Sequence, residues 1–123
     1  MIDHVVFWVT DMARAKAFYD RALAPLGITR ITGDDHSFAG YGVPGKGDFW
    51  IGPSKEKPTG THVAFASADR ATVRAFYEAA LAAGGRDNGS PGLRPQYQKN
   101  YYGAFVLDPD GHNIEAVCYA PSN

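Results

Sequence analysis

The sequence predicts an α+β domain built from two paired βαβββ modules that form a curved sheet around a cavity. The first observation is an internal repeat, since His4-Val-Val-Phe and His62-Val-Ala-Phe open two stretches that stay in register at an offset of 58 residues. The second is the shared order of a β-branched run, an acidic residue, an amphipathic run and a glycine. A match that holds across a strand and a helix indicates a duplicated unit. Because two units are too few for a solenoid, we expect them to pair into one body.

Length and composition are those of an ordinary globular domain. The 123 residues suit one domain with a single core, and 45% of them are hydrophobic and 20% charged. We expect a single domain over residues 1–123. It would divide into a first module at 1–52, a linker at 53–60 and a second module at 61–123.

Charge and cysteine content exclude several classes of partner. The net charge is −1 and no basic cluster occurs, so we expect no nucleic-acid partner and no attraction to an anionic membrane. No run reaches the ~18 apolar residues of a membrane helix, and Met1 leads directly into a strand pattern rather than a leader peptide. The single cysteine, Cys118, cannot form an intrachain disulfide and fits a reducing compartment. We therefore expect a cytoplasmic protein.

The first module begins with a strand and a helix. Residues 4–9 are β-branched and aromatic, which favours a strand. Asp11 offers a carboxylate to free N–H groups as an N-cap, and apolar residues follow at helical spacing until Gly27. The remaining strands are expected at 28–33, 37–43 and 48–52, with a break at Gly33-Asp34-Asp35 and a hairpin loop at 44–47.

The second module repeats this order as far as its helix. Residues 62–67 predict a strand, Asp69 is the N-cap equivalent to Asp11, and Gly84-Gly85 ends the helix. Residues 88–100 are rich in proline and glycine without a clear period, which predicts a loop long enough to cover a site. The last two strands are expected at 101–107 and 113–118, joined by a type I turn at Asp108-Pro109-Asp110-Gly111.

Strand alternation assigns one face of each sheet to the helix and the other to the cavity. Successive side chains of a strand point to opposite faces, and the residues that alternate with the cavity set, such as Phe7, Val9 and Ile114, are uniformly apolar. That composition is typical of a helix-covered face. The cavity set would be His4, Val6, Trp8, His62, Ala64, Ala66, Glu115 and Val117.

Three potential metal ligands belong to the cavity set. His4 and His62 occupy equivalent places in the two copies, so we expect them on opposite sides of one cavity. Glu115 lies among apolar neighbours, a costly place for a carboxylate without a partner. Two imidazoles and one carboxylate with open positions suit Fe(II) and also accept Mn, Ni or Zn. We predict a divalent metal site at these three residues, with Glu115 as the candidate catalytic residue, while His112 is expected to cap or solvate the turn.

This pattern resembles the vicinal oxygen chelate superfamily, which includes glyoxalases, type I extradiol dioxygenases, and bleomycin- and fosfomycin-resistance proteins. The resemblance lies in the paired modules, the two histidine openings and Asp108-Pro-Asp-Gly-His-Asn-Ile-Glu115. It implies that superfamily's fold, a small substrate that chelates a metal through two neighbouring oxygens, lyase, isomerase or dioxygenase activity, and a homodimer. Metal-dependent members have one ligand on the first and one on the last strand of each module. His4, His62 and Glu115 match three of those four places.

The fourth place departs from that pattern. Aligning Asp48-Phe-Trp-Ile51 with Asn113-Ile-Glu-Ala116 puts Trp50 opposite Glu115, and an indole is not a metal ligand. Glyoxalases use four protein ligands, which this sequence lacks. Its ligand set agrees better with the two histidines and one glutamate of the extradiol dioxygenases. It also leaves open a second class, a metal-free drug-binding protein of the bleomycin-resistance type.

Aromatic and cationic side chains are the candidate substrate contacts. Trp8 and Trp50 are either core residues or a stacking surface for a flat substrate. Arg94 suits a substrate carboxylate or phosphate. The alternative for its loop is that aromatic packing only anchors the segment. The loop contributes Arg94, Tyr97, Tyr101 and Tyr102 as candidates.

Overall fold

The computed structural model describes residues 2–33 and 37–122. Residues 34 and 35 of the predicted break lie outside the described residues. A short 3₁₀ helix, Ala24–Leu26, follows the first α-helix. The strands and α-helices are β1 (Val5–Val9), α1 (Met12–Ala22), β2 (Thr29–Thr32), β3 (Ala39–Val43), β4 (Lys46–Pro53), β5 (His62–Ala66), α2 (Arg70–Ala82), β6 (Arg86–Leu93), β7 (Tyr102–Leu107) and β8 (Asn113–Cys118).

The strands form two sheets of the same topology. The first sheet has the order β1-β4-β3-β2 and the second the order β5-β8-β7-β6. In each, the first and last strands of the module pair in parallel, and the other neighbours pair antiparallel. The repeated βαβββ order confirms the predicted α+β fold. Within the described residues, no helix is long and apolar enough to cross a membrane.

Both helices begin at the predicted aspartates. The Asp11 carboxylate accepts a hydrogen bond from the Arg14 amide at 3.0 Å, and the Asp69 carboxylate accepts one from the Thr72 amide at 2.7 Å. Each bond satisfies an N–H group that the first turn of a helix leaves free. The first α-helix stops before the predicted Gly27, since α1 ends at Ala22 with Leu23 as its C-cap. Gly27, with φ of 76°, ends the following 3₁₀ helix in the left-handed conformation that glycine adopts without steric cost.

The helix-covered faces of both sheets share one hydrophobic core. The ring of Phe49 in the first sheet lies 5.3 Å from that of Phe65 in the second. Because one core serves both covered faces, the other face of each sheet lies on the outside of the chain. Among the described residues, the largest fully buried apolar side chains are Phe7, Phe18, Tyr19, Leu23, Tyr41, Phe49, Ile51, Phe76 and Ile114. The burial of Phe7, Val9 and Ile114 confirms the side that strand alternation assigned to the helices.

Buried polar contacts of the β7–β8 turn join the second module to the first. The Tyr19 hydroxyl donates to the Asp108 carboxylate at 2.5 Å, and the Thr10 hydroxyl donates to the Asp110 carboxylate at 2.7 Å. Burial and the neighbouring Asp108 charge raise the pKa of Tyr19 well above its usual value, so its hydroxyl remains a donor. These bonds satisfy two buried carboxylates and fix the turn against α1 and β1.

His112 also bridges the two modules. Its Nδ1 accepts from the Thr61 amide at 3.0 Å, and its Nε2 lies 2.9 Å from the Trp8 carbonyl oxygen. An amide only donates and a carbonyl only accepts, so the proton of this imidazole is on Nε2. The expectation that His112 caps or solvates the turn is therefore wrong, because the side chain is 1% exposed and both nitrogens are bonded elsewhere.

The segment predicted as a loop at 88–100 is partly a strand. Residues Arg86–Leu93 form β6, which pairs antiparallel with β7 and shifts register on both sides of Gly89. Those shifts remove the two-residue period from the sequence, and Gly89, with φ of 149°, occurs where only glycine fits easily. The prediction of a loop is therefore wrong for 88–93, because the bulges that Gly89 permits remove the alternation by which a strand is recognised.

Candidate functional site

The candidate site lies on the second open face, which we define as the uncovered side of the second sheet. Glu115 pairs with Ala64 of β5 and with Phe105 of β7, so these three residues form one row across the sheet. His62 precedes Ala64 by two residues and therefore shares its face. The topology thus places His62 beside Glu115 through the parallel pairing of β5 with β8.

Glu115 is a buried carboxylate held by two side chains. It is 1% exposed, and the Tyr101 hydroxyl donates a hydrogen bond to its Oε2. Its Oε1 lies 3.1 Å from His62 Nε2. Burial and the Glu115 carboxylate raise the pKa of Tyr101, which keeps the hydroxyl protonated as a donor. A Cβ at Gly103 would lie 3.1 Å from Oε2, so the glycine provides the space for this contact.

The ring of His62 has a defined orientation. Its Nδ1 lies 2.9 Å from the Asn113 carbonyl oxygen, and because that oxygen only accepts, Nδ1 carries a hydrogen. The second nitrogen, Nε2, therefore faces Glu115 Oε1 across 3.1 Å. Without a proton or another cation between them, two acceptors would oppose each other. The side chain of His62 is 48% exposed, so this cation position can be reached from solvent.

His4 lies on the first sheet, apart from this pair. Its Nδ1 is 2.8 Å from Asp3 Oδ1, and Lys46 Nζ is 3.0 Å from the same oxygen. The contacts with His4 and Lys46 lower the pKa of the Asp3 carboxyl. Within the described part of one chain, no three His, Cys, Asp or Glu side chains form a group that could hold a metal ion. One chain brings His62 and Glu115 together without His4, because both covered faces are turned to the common core.

Trp50 occupies in the first sheet the place that Glu115 has in the second. It pairs with Val6 on one side and with Gly40 on the other. Its indole Nε1 donates to the Gly47 carbonyl at 3.0 Å, and its ring covers Gly40, where a Cβ would lie 2.7 Å from it. The sequence alignment therefore identified the equivalent position correctly, and that position presents an aromatic surface.

Two further aromatic rings extend this surface on the first open face, the uncovered side of the first sheet. Trp8 is 47% and Phe38 43% exposed, and their rings meet edge to face at 5.7 Å. Sequence reasoning missed Phe38. Because it precedes Gly40 by two residues, extending the alternation of β3 backwards would have placed it on the same face as Trp50. We call Trp8, Phe38 and Trp50 the aromatic shelf.

Arg94 lies along the second open face rather than in a free loop. Its two terminal nitrogens donate to the carbonyl oxygens of Gly92 and Ser90, both at 2.8 Å. Its guanidinium carbon lies 5.4 Å from the ring centre of Phe105. Phe105, which sequence reasoning also missed, stacks at 6.2 Å on the ring of His62. Alternation from Gly103 would have assigned it to this face.

The three candidate tyrosines have separate positions. Tyr101 binds Glu115, and Tyr97, which is 61% exposed, packs edge to face on Tyr101 at 5.2 Å. Tyr102 points to the opposite, helix-covered side, where Arg74 of α2 donates to its hydroxyl at 3.2 Å. The structure thus places Tyr97 and Tyr101 at the site, and it places Tyr102 against the helix.

Comparison with known protein families agrees with this architecture. The profile of the Glyoxalase/Bleomycin resistance protein/Dioxygenase superfamily matches residues 1–116. The chain belongs to this superfamily. Superfamily membership confirms the resemblance that the repeat and the Asp108–Glu115 motif indicated.

Solved structures of superfamily proteins have the same fold. A glyoxalase/bleomycin resistance protein from Albidiferax ferrireducens T118 is 31% identical, with a TM-score of 0.79 over 94% of this chain and 95% of that one. A glyoxalase/bleomycin resistance protein/dioxygenase family enzyme from Burkholderia phytofirmans PsJN is 19% identical, with a TM-score of 0.73 over 97% and 98% of the two chains. Among curated proteins, no sequence matches this chain significantly.

Proposed function

We propose that this superfamily protein is an enzyme that binds a divalent metal ion, Fe, Mn, Ni or Zn, and acts on a small substrate through two neighbouring substrate oxygens. The supporting observation is the 3.1 Å separation between His62 Nε2 and Glu115 Oε1. Two ligands about 2.1 Å from one ion and at right angles to each other are about 3 Å apart. The pair therefore fits two neighbouring positions around a divalent ion.

The surroundings of the pair favour the same role. The Asn113 carbonyl holds the hydrogen on His62 Nδ1 and leaves Nε2 as the ligand atom. The Tyr101 hydroxyl binds Glu115 Oε2 and leaves Oε1 facing His62. Outer contacts of this kind orient metal ligands. A divalent ion at this place would supply Lewis-acid activation of the substrate oxygens for a lyase, isomerase or dioxygenase reaction. Glu115, the candidate catalytic residue, would hold the ion through Oε1 beside the bound substrate oxygens.

A second copy of the chain supplies the third ligand in this proposal. His4 is half exposed on the outside of the first sheet, and the three ligands do not meet within the described residues of one chain. Both open faces carry large exposed apolar side chains, Trp8 and Phe38 on the first and Tyr97 on the second, which favour a covering partner. A homodimer that pairs the first open face of one copy with the second open face of another would bring His4 to the other two ligands. The aromatic shelf would then form one wall of the substrate cavity.

Metal analysis of protein purified without a nickel column tests the metal site. We expect about one equivalent of Fe, Mn, Ni or Zn per chain in the wild type. His62→Ala should lose it, because the substitution removes a ligand atom. Glu115→Gln should bind it more weakly, because an amide lacks the negative charge of the carboxylate ligand, while Trp8→Phe should retain it as the matched control. A Glu115→Gln protein that keeps both metal and turnover would contradict the assignment.

A mixed dimer tests whether the ligands come from two copies. His4→Ala and His62→Ala chains with different tags are refolded together, and the doubly tagged dimer is purified. If each site takes its histidines from both chains, the mixed dimer has one complete site and should contain about one metal ion, whereas either variant alone contains none. A mixed dimer without metal would show that both histidines come from the same chain.

The second candidate is a metal-free protein that binds flat small molecules, as in the bleomycin-resistance type. The observation that favours it is the aromatic shelf, which includes an indole at the fourth ligand place. A wild type without metal, whose tryptophan fluorescence is quenched by planar drugs and less so after Trp8→Ala, would support this function over the first.

A further inference from the structure

The second open face carries a fixed positive charge, the Arg94 guanidinium, that has no part in the proposed metal site. We propose that Arg94 and Phe105 form a subsite beside His62 and Glu115 for the carboxylate and the ring of a small aromatic acid. This inference rests on the proposed function of the second open face as a substrate site, and it names the chemical class of that substrate.

The guanidinium of Arg94 is held in place and lacks a counter-charge among the described residues. Its two bonds to Gly92 and Ser90 go to neutral carbonyl oxygens, and none of the ion pairs between described residues includes it. A guanidinium has five N–H donors and stays charged in proteins, so donors remain for a ligand. Because the guanidinium is half-buried on the sheet, an anion would bind it more strongly than it would bind a guanidinium that is fully surrounded by water.

Glycines of the bulged strand β6 make room for this arrangement. A Cβ at Gly92 or at Gly89 would lie 3.2 Å from a terminal nitrogen of Arg94. At Gly89 it would also lie 2.9 Å from the Phe105 ring. The side chain of Arg94 is thereby laid along the sheet towards Phe105 instead of extending into solvent. A cation fixed before the ligand arrives loses little further freedom on binding.

Phe105 connects the cation to the metal-ligand pair. Its ring lies 5.4 Å from the Arg94 guanidinium carbon and 6.2 Å from the His62 ring, and it is the direct cross-strand neighbour of Glu115. A ligand with its carboxylate on Arg94 would therefore lie with its middle over Phe105 and its far end at His62 and Glu115. A flat ring suits that middle position because aromatic groups pack on one another.

A carboxylate fits this cation better than a phosphate does. Arg94 provides a single positive charge, which balances the charge of a carboxylate but only part of that of a doubly charged phosphate. The planar, two-oxygen shape of a carboxylate also matches the planar guanidinium. The subsite is thus expected to select small monoanionic aromatic acids.

Calorimetric titration of the metal-free protein tests the subsite with benzoate, phenyl phosphate and neutral benzyl alcohol as probes. Benzoate should bind the wild type, and Arg94→Met should weaken it about tenfold to hundredfold, as for a lost charge-assisted hydrogen bond. Gly92→Ala should weaken it less, because it displaces the guanidinium without removing the charge. Arg86→Met, at the other end of β6, is the matched control and should leave benzoate binding unchanged.

The other outcomes overturn the inference or part of it. Benzoate that does not bind the wild type, or that binds a folded Arg94→Met protein equally well, contradicts the subsite. If Arg94→Met does not fold, Gly92→Ala decides, because unchanged benzoate affinity there contradicts a fixed guanidinium. Tighter binding of phenyl phosphate contradicts the carboxylate. Since the titration needs no metal, a protein that contains metal but ignores benzoate disproves only this inference, and one that binds benzoate but never metal disproves only the metal site.

Discussion

The two modules have the same framework but carry different chemistry on their open faces. Both begin their helix at an aspartate N-cap, and both pair their first and last strands in parallel. On the first open face the central row contains Val6, Trp50 and Gly40, whereas the equivalent row of the second contains Ala64, Glu115 and Phe105. The duplicated unit therefore has one aromatic face and one charged face.

The difference teaches where a duplicated fold can diverge. The covered sides meet in one close-packed core, in which a change of even one methylene group is felt. The open sides do not pack into that core, so the two modules can carry their large aromatic side chain on different strands. Trp50 covers a glycine in the first sheet, while in the second Phe105 is the large residue and the position beside it is a carboxylate.

The largest expected effect comes from breaking the shared framework. Ile51 follows Trp50 and Ile114 precedes Glu115, so both isoleucines lie on the covered side of their sheets, and both are fully buried. We expect Ile51→Ala and Ile114→Ala each to lower the free energy of unfolding by about 2–5 kcal/mol, through lost burial and a cavity. Urea unfolding measures both. A loss below about 1 kcal/mol for either variant would contradict a core common to the two modules.

A pair of glycine substitutions should separate the two open faces. In Gly103→Ala the new methyl group would press on Glu115 Oε2 and the Tyr101 ring, so metal affinity should fall at least about tenfold. In Gly40→Ala it would press on Trp50, so tryptophan fluorescence should shift while metal affinity changes little. Metal titration and emission spectra of both variants check this. Equal loss of metal affinity in the two would remove the proposed division between the faces.

The smallest effects are expected at the helix caps. Asp11→Ala and Asp69→Ala should each lower the melting temperature by about 2–6 °C, because each removes one bond to a free amide. The Thr72 amide lowers the pKa of Asp69 below its ordinary value of 3.8, so this cap stabilises fully above that value and its contribution is lost as the pH falls through the lowered pKa. The melting temperatures of wild type and Asp69→Ala should therefore differ at neutral pH and converge in acid. A constant difference would contradict the cap.

Local patterns predicted the framework well because they depend on neighbours in the sequence. The N-caps, the left-handed conformation of Gly27 and the alternation that buries Phe7 and exposes Trp8 all depend on residues within a turn or a strand. The prediction for β6 was wrong because its bulges erase the two-residue period, and only pairing with β7 makes the segment a strand. Phe105 was missed because its importance depends on residues from two other strands, His62 and Arg94.

The sequence by itself determined the duplication, the two-sheet α+β fold, and the equivalence of His4 with His62 and of Trp50 with Glu115. Only the tertiary structure decided that His62 meets Glu115 while His4 lies elsewhere in the same chain. The physical reason is that alternation states which face a side chain occupies but not which face lies opposite. That second choice was made when the covered sides of both sheets packed into one core.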